Sequence, residues 1–191
     1  MTDAADESQP DRRGRLLAAA DESALGVLAA DSVELACAVI DVLGRTEVPG
    51  ELLDDLRGGS VFEQSPASRE LLELIQPYLP EDEPDPGAED DRTQVLGFAA
   101  AVIDLALDGG TEPGERAAEA AWTLADLHAH LDVTVPERFT AGAEPYDEFC
   151  LRRQNDLLEL IAGGAGPDTA AVRDSTALGR SVLERAVRSL L

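Results

Sequence analysis

The sequence predicts an all-α fold, a single-domain bundle of six or seven helices built around a central antiparallel helical hairpin. Three observations lead there. Leucine, valine, isoleucine and alanine recur at three- and four-residue steps along most of the chain, the spacing that lines one face of a helix. Hydrophobic residues make up 44% of the 191 residues but aromatics only 4%, so the core is built from small aliphatic side chains, which suits close helix packing. No run alternates apolar and polar residues as a half-buried strand does. A chain of this length buries one sizeable core, and one helical domain over 14–191 is the economical reading.

Met1 to Arg13 mixes Asp, Ser, Gln, Pro and Arg with almost no apolar content and reads as a disordered polar tail. The run RLLAAADESALGVLAA, from Arg15 to Ala30, is rich in helix formers. Asp31, with Glu34 three positions on, has the spacing of a capping box and marks a restart. Val33, Ala36, Val39, Ile40 and Leu43 share one side of the helix that follows, and Gly44 stops it. Pro49 opens a short helix that Gly58 and Gly59 close. Ser65-Pro66 starts another, which carries Leu71, Leu72, Ile75 and Tyr78 and ends at Pro80. The segment 80–91, PEDEPDPGAEDD, holds seven acids, three prolines and a glycine, the composition of an exposed acidic linker.

The hairpin follows. Thr93 to Leu107 places Val95, Phe98, Ala99, Val102, Ile103 and Ala106 on one helical face, and Asp108-Gly109-Gly110 turns the chain. After Pro113 the second arm carries Ala117, Ala118, Ala121, Trp122, Ala125, His128 and Leu131. So short a turn predicts antiparallel packing, and the alanines allow close approach. Residues 132–144 are irregular. A helix from Pro145 uses Phe149, Leu157, Leu158, Leu160 and Ile161 and stops at Gly163-Gly164. The last one begins near Pro167 and carries Leu178, Val182, Leu183, Ala186, Val187 and Leu190, with Arg180, Arg185 and Arg188 in its latter half, where cations complement the helix dipole.

The formal charge is −24, from 39 acidic residues against 15 basic ones. Such a field repels phosphate backbones, so direct nucleic-acid binding is not expected. Every basic residue is Arg and none is Lys, a bias attributed mainly to GC-rich coding, with a high-salt cytoplasm as a second explanation. The polar N-terminus lacks a signal-peptide core, and no stretch approaches the ~18 uninterrupted apolar residues of a membrane span. A cytoplasmic location without membrane contact is the expectation.

No catalytic, cofactor-binding or metal-binding set stands out. His128 and His130 are two residues apart on a helix, which sends their rings to different faces. Glu is absent from the positions three before each, as a di-iron bundle would require. Cys37 and Cys150 are isolated in apolar company and read as reduced, packed thiols. Cys150 and His128 lie on successive helices and form the one nucleophile-and-base pair worth weighing. Gly163-Gly164-Ala165-Gly166 lacks the spacing and preceding strand of a phosphate loop and reads as a turn. Trp122, on a mostly alanine face, is a core or interface anchor. Glu148 and Arg152 have the four-residue spacing of an exposed helix ion pair. Arg152 and Arg153 are alternatively contacts for a partner's acid, and Gln154 belongs to the same candidate surface.

From about Ser65 to Ala162 the order of elements resembles the YjaG-like family, small helical bacterial proteins of unknown function. QVLGFAAAVIDLALDGGTEPGERAAEAAWTLADLHAHL is similar to that family's central hairpin and EPYDEFCLRRQNDLLELI to its later helix. In the latter, Pro145, Glu148, Gln154, Leu157, Leu160 and Ile161 fall on the family pattern of Pro, Glu, Gln and apolar residues. The resemblance implies an all-α fold and no catalytic residue.

The leading functional expectation is therefore a non-catalytic module that acts through contacts with a protein partner or a second copy of itself, without a cofactor. A second is an acidic immunity-type inhibitor or nucleic-acid mimic that covers a basic surface, to which the acids from Glu81 to Asp91 would contribute. The third is an enzyme using Cys150 or His128.

Overall fold

Helix starts follow the capping chemistry written in the chain. The computed structural model describes residues 8–58, 61–79, 90–108, 112–166 and 169–191. Ser8 caps α1 (Gln9–Ala19), its hydroxyl oxygen accepting from the Asp11 amide at 3.3 Å. Asp21 caps α2 (Glu22–Val39) by accepting from the Ala24 amide at 2.8 Å. A widened π turn, Ile40–Gly44, ends α2, and Arg45 then takes left-handed backbone. α3 spans Gly50–Gly58. Ser65 caps α4 (Pro66–Ile75) through the Ser68 amide at 3.0 Å. Asp90 does the same for α5 (Asp91–Asp108) through the Thr93 amide at 2.8 Å. α6 (Pro113–Thr134) carries Asp132, whose carboxylate accepts from the Tyr146 and Asp147 amides at 2.8 and 3.0 Å and so caps α7 (Tyr146–Ala162) from outside. α8 spans Ala170–Arg188.

Eight α-helices and no strand are present among the described residues, in place of the six or seven helices expected. The N-terminal helix boundaries also differ from those expected. The expected tail to Arg13 is helical from Gln9, because Ser8 supplies a cap and Arg13 is buried against Trp122. The expected restart at Asp31 is absent, and α2 runs through it unbroken. Asp21 is the cap, while the Asp31 carboxylate is bound by Arg153. The expected tail over 1–7, the Gly59 stop, the linker up to Glu89, the Gly109-Gly110 turn and the Pro167 start lie outside the described residues. Asp90 and Asp91 belong to the start of α5.

α5 and α6 share the most extensive helix-to-helix contact, but the centre of the bundle is α2, which packs on α5, α6 and α8. Nearly every residue from Ala24 to Val39 is buried. By length and composition alone Glu22–Gly44 is apolar enough to cross a membrane, and 83% of its most apolar window is covered by the rest of the fold. Leu28, Leu35, Ile40, Leu43, Ile103, Leu124 and Leu127 are fully buried, each contributing about 1.5–3 kcal/mol relative to exposure. The end of α2 is fixed by the Tyr78 hydroxyl, which meets the Thr46 hydroxyl at 2.8 Å and donates to the Gly44 carbonyl at 3.3 Å. A β-carbon at position 44 would stand 2.8 Å from that hydroxyl, which is why glycine is there.

Candidate ligand-binding cleft

Beyond Glu22 at its start, α2, the most apolar of the described helices, carries two acids, Asp31 and Glu34, one turn apart on the same side. Burial of a carboxylate requires a partner. Asp31 finds it in Arg153 of α7, with Nη1 donating to Oδ1 at 2.8 Å and Nη2 to Oδ2 at 2.6 Å, both side chains almost sealed from solvent. Thr176 of α8 donates a further bond to Oδ1 at 2.8 Å. Burial alone would lower the Arg153 pKa, and the Asp31 charge and hydrogen bonds outweigh it, so the guanidinium is held above its ordinary value. Glu34 is bound by Arg57 of α3, whose Nε donates to Oε2 at 3.1 Å and whose Nη2 contacts the same oxygen. Hydrogen bonding to Glu34 raises the Arg57 pKa.

These groups line one side of a half-open cleft of about 650 Å³ between α2, α3 and α8. Val27 and Ala30 of α2, Leu56 of α3, Val172 of α8 and Phe62, in the turn before α4, make it mainly apolar. Arg173 stands exposed at the edge, and Arg180 is held by Asp41 at 3.5 Å and Glu184 at 2.7 Å. Apolar walls with a few placed polar groups, at this volume, are the usual make-up of a small-molecule site.

The candidate surface read from the sequence divides. Arg153 and Gln154 are interior, Arg153 on Asp31 and Gln154 donating from Nε2 to the Ala121 carbonyl at 3.2 Å, so neither faces a partner. Glu148 is exposed but makes no pair with Arg152, which instead binds Glu144 at 2.5 Å and Asp156 at 3.8 Å. Glu144 lies two residues before the start of α7. Trp122 is 39% exposed, with the Arg13 guanidinium 4.0 Å from its ring centre. No nitrogen of that guanidinium has a hydrogen-bond partner, and burial pushes its pKa down to about 10.

Cys150 and His128 are both buried. Burial pushes the Cys150 thiol up to about 12, leaving no thiolate near neutral pH. Burial also pushes His128 down to about 4, and its Nδ1 lies 2.8 Å from the Leu124 carbonyl, so Nδ1 carries the proton of a neutral ring. Neither group opens onto the cleft. Among the described residues no three His, Cys, Asp or Glu side chains are grouped to hold a metal ion.

Of the residues that build the cleft, Asp31 and Glu34 read in the sequence as a capping box, and Arg57 and Thr176 are not singled out there. The signal that marks two of them is the placement of Asp31 and Glu34 inside an otherwise apolar run, which demands buried counter-charges. The chain matches no protein-family model, no curated protein and no solved structure. The likeness to the YjaG-like family thus rests on the sequence pattern alone.

Proposed function

We propose that this chain is a non-catalytic binding protein whose ligand is a small molecule held in the cleft between α2, α3 and α8. The observation that carries the reading is the cleft itself, about 650 Å³ in volume, apolar on most of its walls and bordered by the buried Asp31–Arg153 pair and the part-buried Glu34–Arg57 pair. The inertness of Cys150 and His128 supports binding over catalysis. A continuous core from Leu25 to Val187 supports treating the helices as one domain. The test is a fragment screen by two-dimensional NMR. Ligands that shift the Gly26, Ala30 and Thr176 amides, and that lose binding in folded Ala177→Trp, support the reading. A screen in which no fragment moves those amides sinks it.

A second reading, contact with a cationic protein partner, is supported by the charge of −24 and by the internal pairing of Arg12, Arg57, Arg138, Arg152, Arg153 and Arg180. Those arginines neutralise the chain's own carboxylates, and the excess acid faces outward. A complex of defined stoichiometry that weakens as salt is raised supports it. Equal, weak uptake of polylysine and of every basic protein tried overturns it.

A further inference from the structure

We infer that the cleft selects an amphipathic cation, a molecule with an apolar body and one protonated amine, the amine meeting Glu34 and the body lying on Val27, Ala30, Leu56 and Phe62. The inference rests on the small-molecule reading above and adds the charge of the ligand. Glu34 lines the cleft and is only 9% exposed. Arg57 places both of its contacts on Oε2, and among the described residues no hydrogen bond ends on Oε1. A carboxylate has about four acceptor sites, so Oε1 keeps acceptor capacity on the cleft side. Oε1 is therefore an acceptor that a donor entering from the cleft would satisfy.

The neighbouring groups set the sign. Asp31 is complete, with Arg153 on both oxygens and Thr176 on one. Arg180 is committed to Asp41 and Glu184. Asp31, Glu34, Asp41, Asp54 and Glu184 thus stand against Arg57, Arg153, Arg180 and Arg188, leaving this network one negative charge in excess. Arg173, the remaining cation that lines the cleft, is exposed. A total charge of −24 further enriches cations around the cleft and depletes anions. A charge-assisted bond to a carboxylate in a low-dielectric recess is stronger than its neutral counterpart.

The experiment compares phenethylamine, phenethyl alcohol and phenylacetate by calorimetry, with amide shifts of Gly26, Ala30 and Thr176 locating each probe. The ammonium is expected to bind on the order of tenfold tighter than the alcohol, with the carboxylate weakest. In folded Glu34→Gln the preference of amine over alcohol should vanish. Should Glu34→Gln fail to fold, the ranking in the native protein decides, with Ala177→Trp blocking the cleft. Equal binding of amine and alcohol at those amides overturns the charge selection and leaves the small-molecule site standing. Tighter binding of phenylacetate overturns it in favour of an anion on Arg173. Amine shifts that persist in Ala177→Trp reveal adsorption to the acidic surface and overturn it as well. If none of the probes, and no fragment in the wider screen, moves the three amides, the small-molecule reading itself fails.

Discussion

The side chain of Arg153 occupies the space where a β-carbon on residue 179 would be. A Cβ built on Gly179 would lie 2.8 Å from Arg153 Nε and 3.1 Å from its Cδ and Cζ. The glycine thus lets a guanidinium from α7 pass across the face of α8 and reach Asp31 on α2. In an exposed helix interior, alanine in place of glycine is worth about 1 kcal/mol. Here the clash reverses the sign, since Arg153 is fastened at its far end by two short bonds. Gly179→Ala is expected to destabilise by about 1–3 kcal/mol, read from urea midpoints. In an Arg153→Met background the penalty should shrink or turn into a gain. A plain Gly179→Ala that is more stable than the parent contradicts this packing.

The Asp31–Arg153 pair is predicted to behave as a unit. Arg153→Met leaves a buried carboxylate with only the Thr176 hydroxyl, at a cost of about 3–5 kcal/mol. Arg153→Lys should fare poorly too, because an ammonium cannot span both oxygens as the guanidinium does. Asp31→Leu combined with Arg153→Met removes both charges and should recover most of the loss. Denaturation of the two single variants and the double variant measures the coupling. Additive losses would mean that the two side chains do not act together.

That pair also explains what the sequence conceals. Helix type and buried faces are legible from local spacing, as the course of α4 through Leu71 and Ile75 and of α8 through Val182, Leu183, Ala186 and Val187 demonstrates. Asp31 followed by Glu34 has the same local signature as a capping box, and only Arg153, 122 residues away, makes it an interior ion pair. Likewise Arg153 and Gln154 form a polar pair that reads as surface, yet the fold turns both inward. The cleft is drawn from α2, α3 and α8, so no single window of sequence contains it.

Burial predicts that both thiols are silent in the folded protein. Cys150 is pushed up to about 12, and Cys37 is pushed up by burial as well, with Asp41 and Glu34 adding to the effect. Labelling with a disulfide reagent at mildly alkaline pH should therefore await unfolding. For an opening free energy of about 4 kcal/mol the native rate is on the order of a thousandfold below that in urea. Fast, stoichiometric modification of Cys150 without loss of structure would show an access route to this thiol and reopen a nucleophilic role for it.

His128 is predicted to make stability fall in mild acid. Its folded pKa, lowered from 6.5 to about 4 by burial with the Arg153 charge adding, means that the unfolded chain takes up a proton that the folded chain refuses. For a base with a depressed folded pKa the contribution is fully present above about pH 6.5 and is lost as pH falls toward about 4. Between about pH 7 and about pH 5 the loss amounts to about 2 kcal/mol. Asp41, Asp104 and Asp147, all raised by burial, act in the opposite direction as they protonate. Comparison with His128→Leu isolates the histidine, since the carboxylates are common to both proteins. The variant should lose less stability than the parent over this window. Parallel pH profiles for the two would show that the ring takes up its proton without unfolding, and hence that it is reached by water.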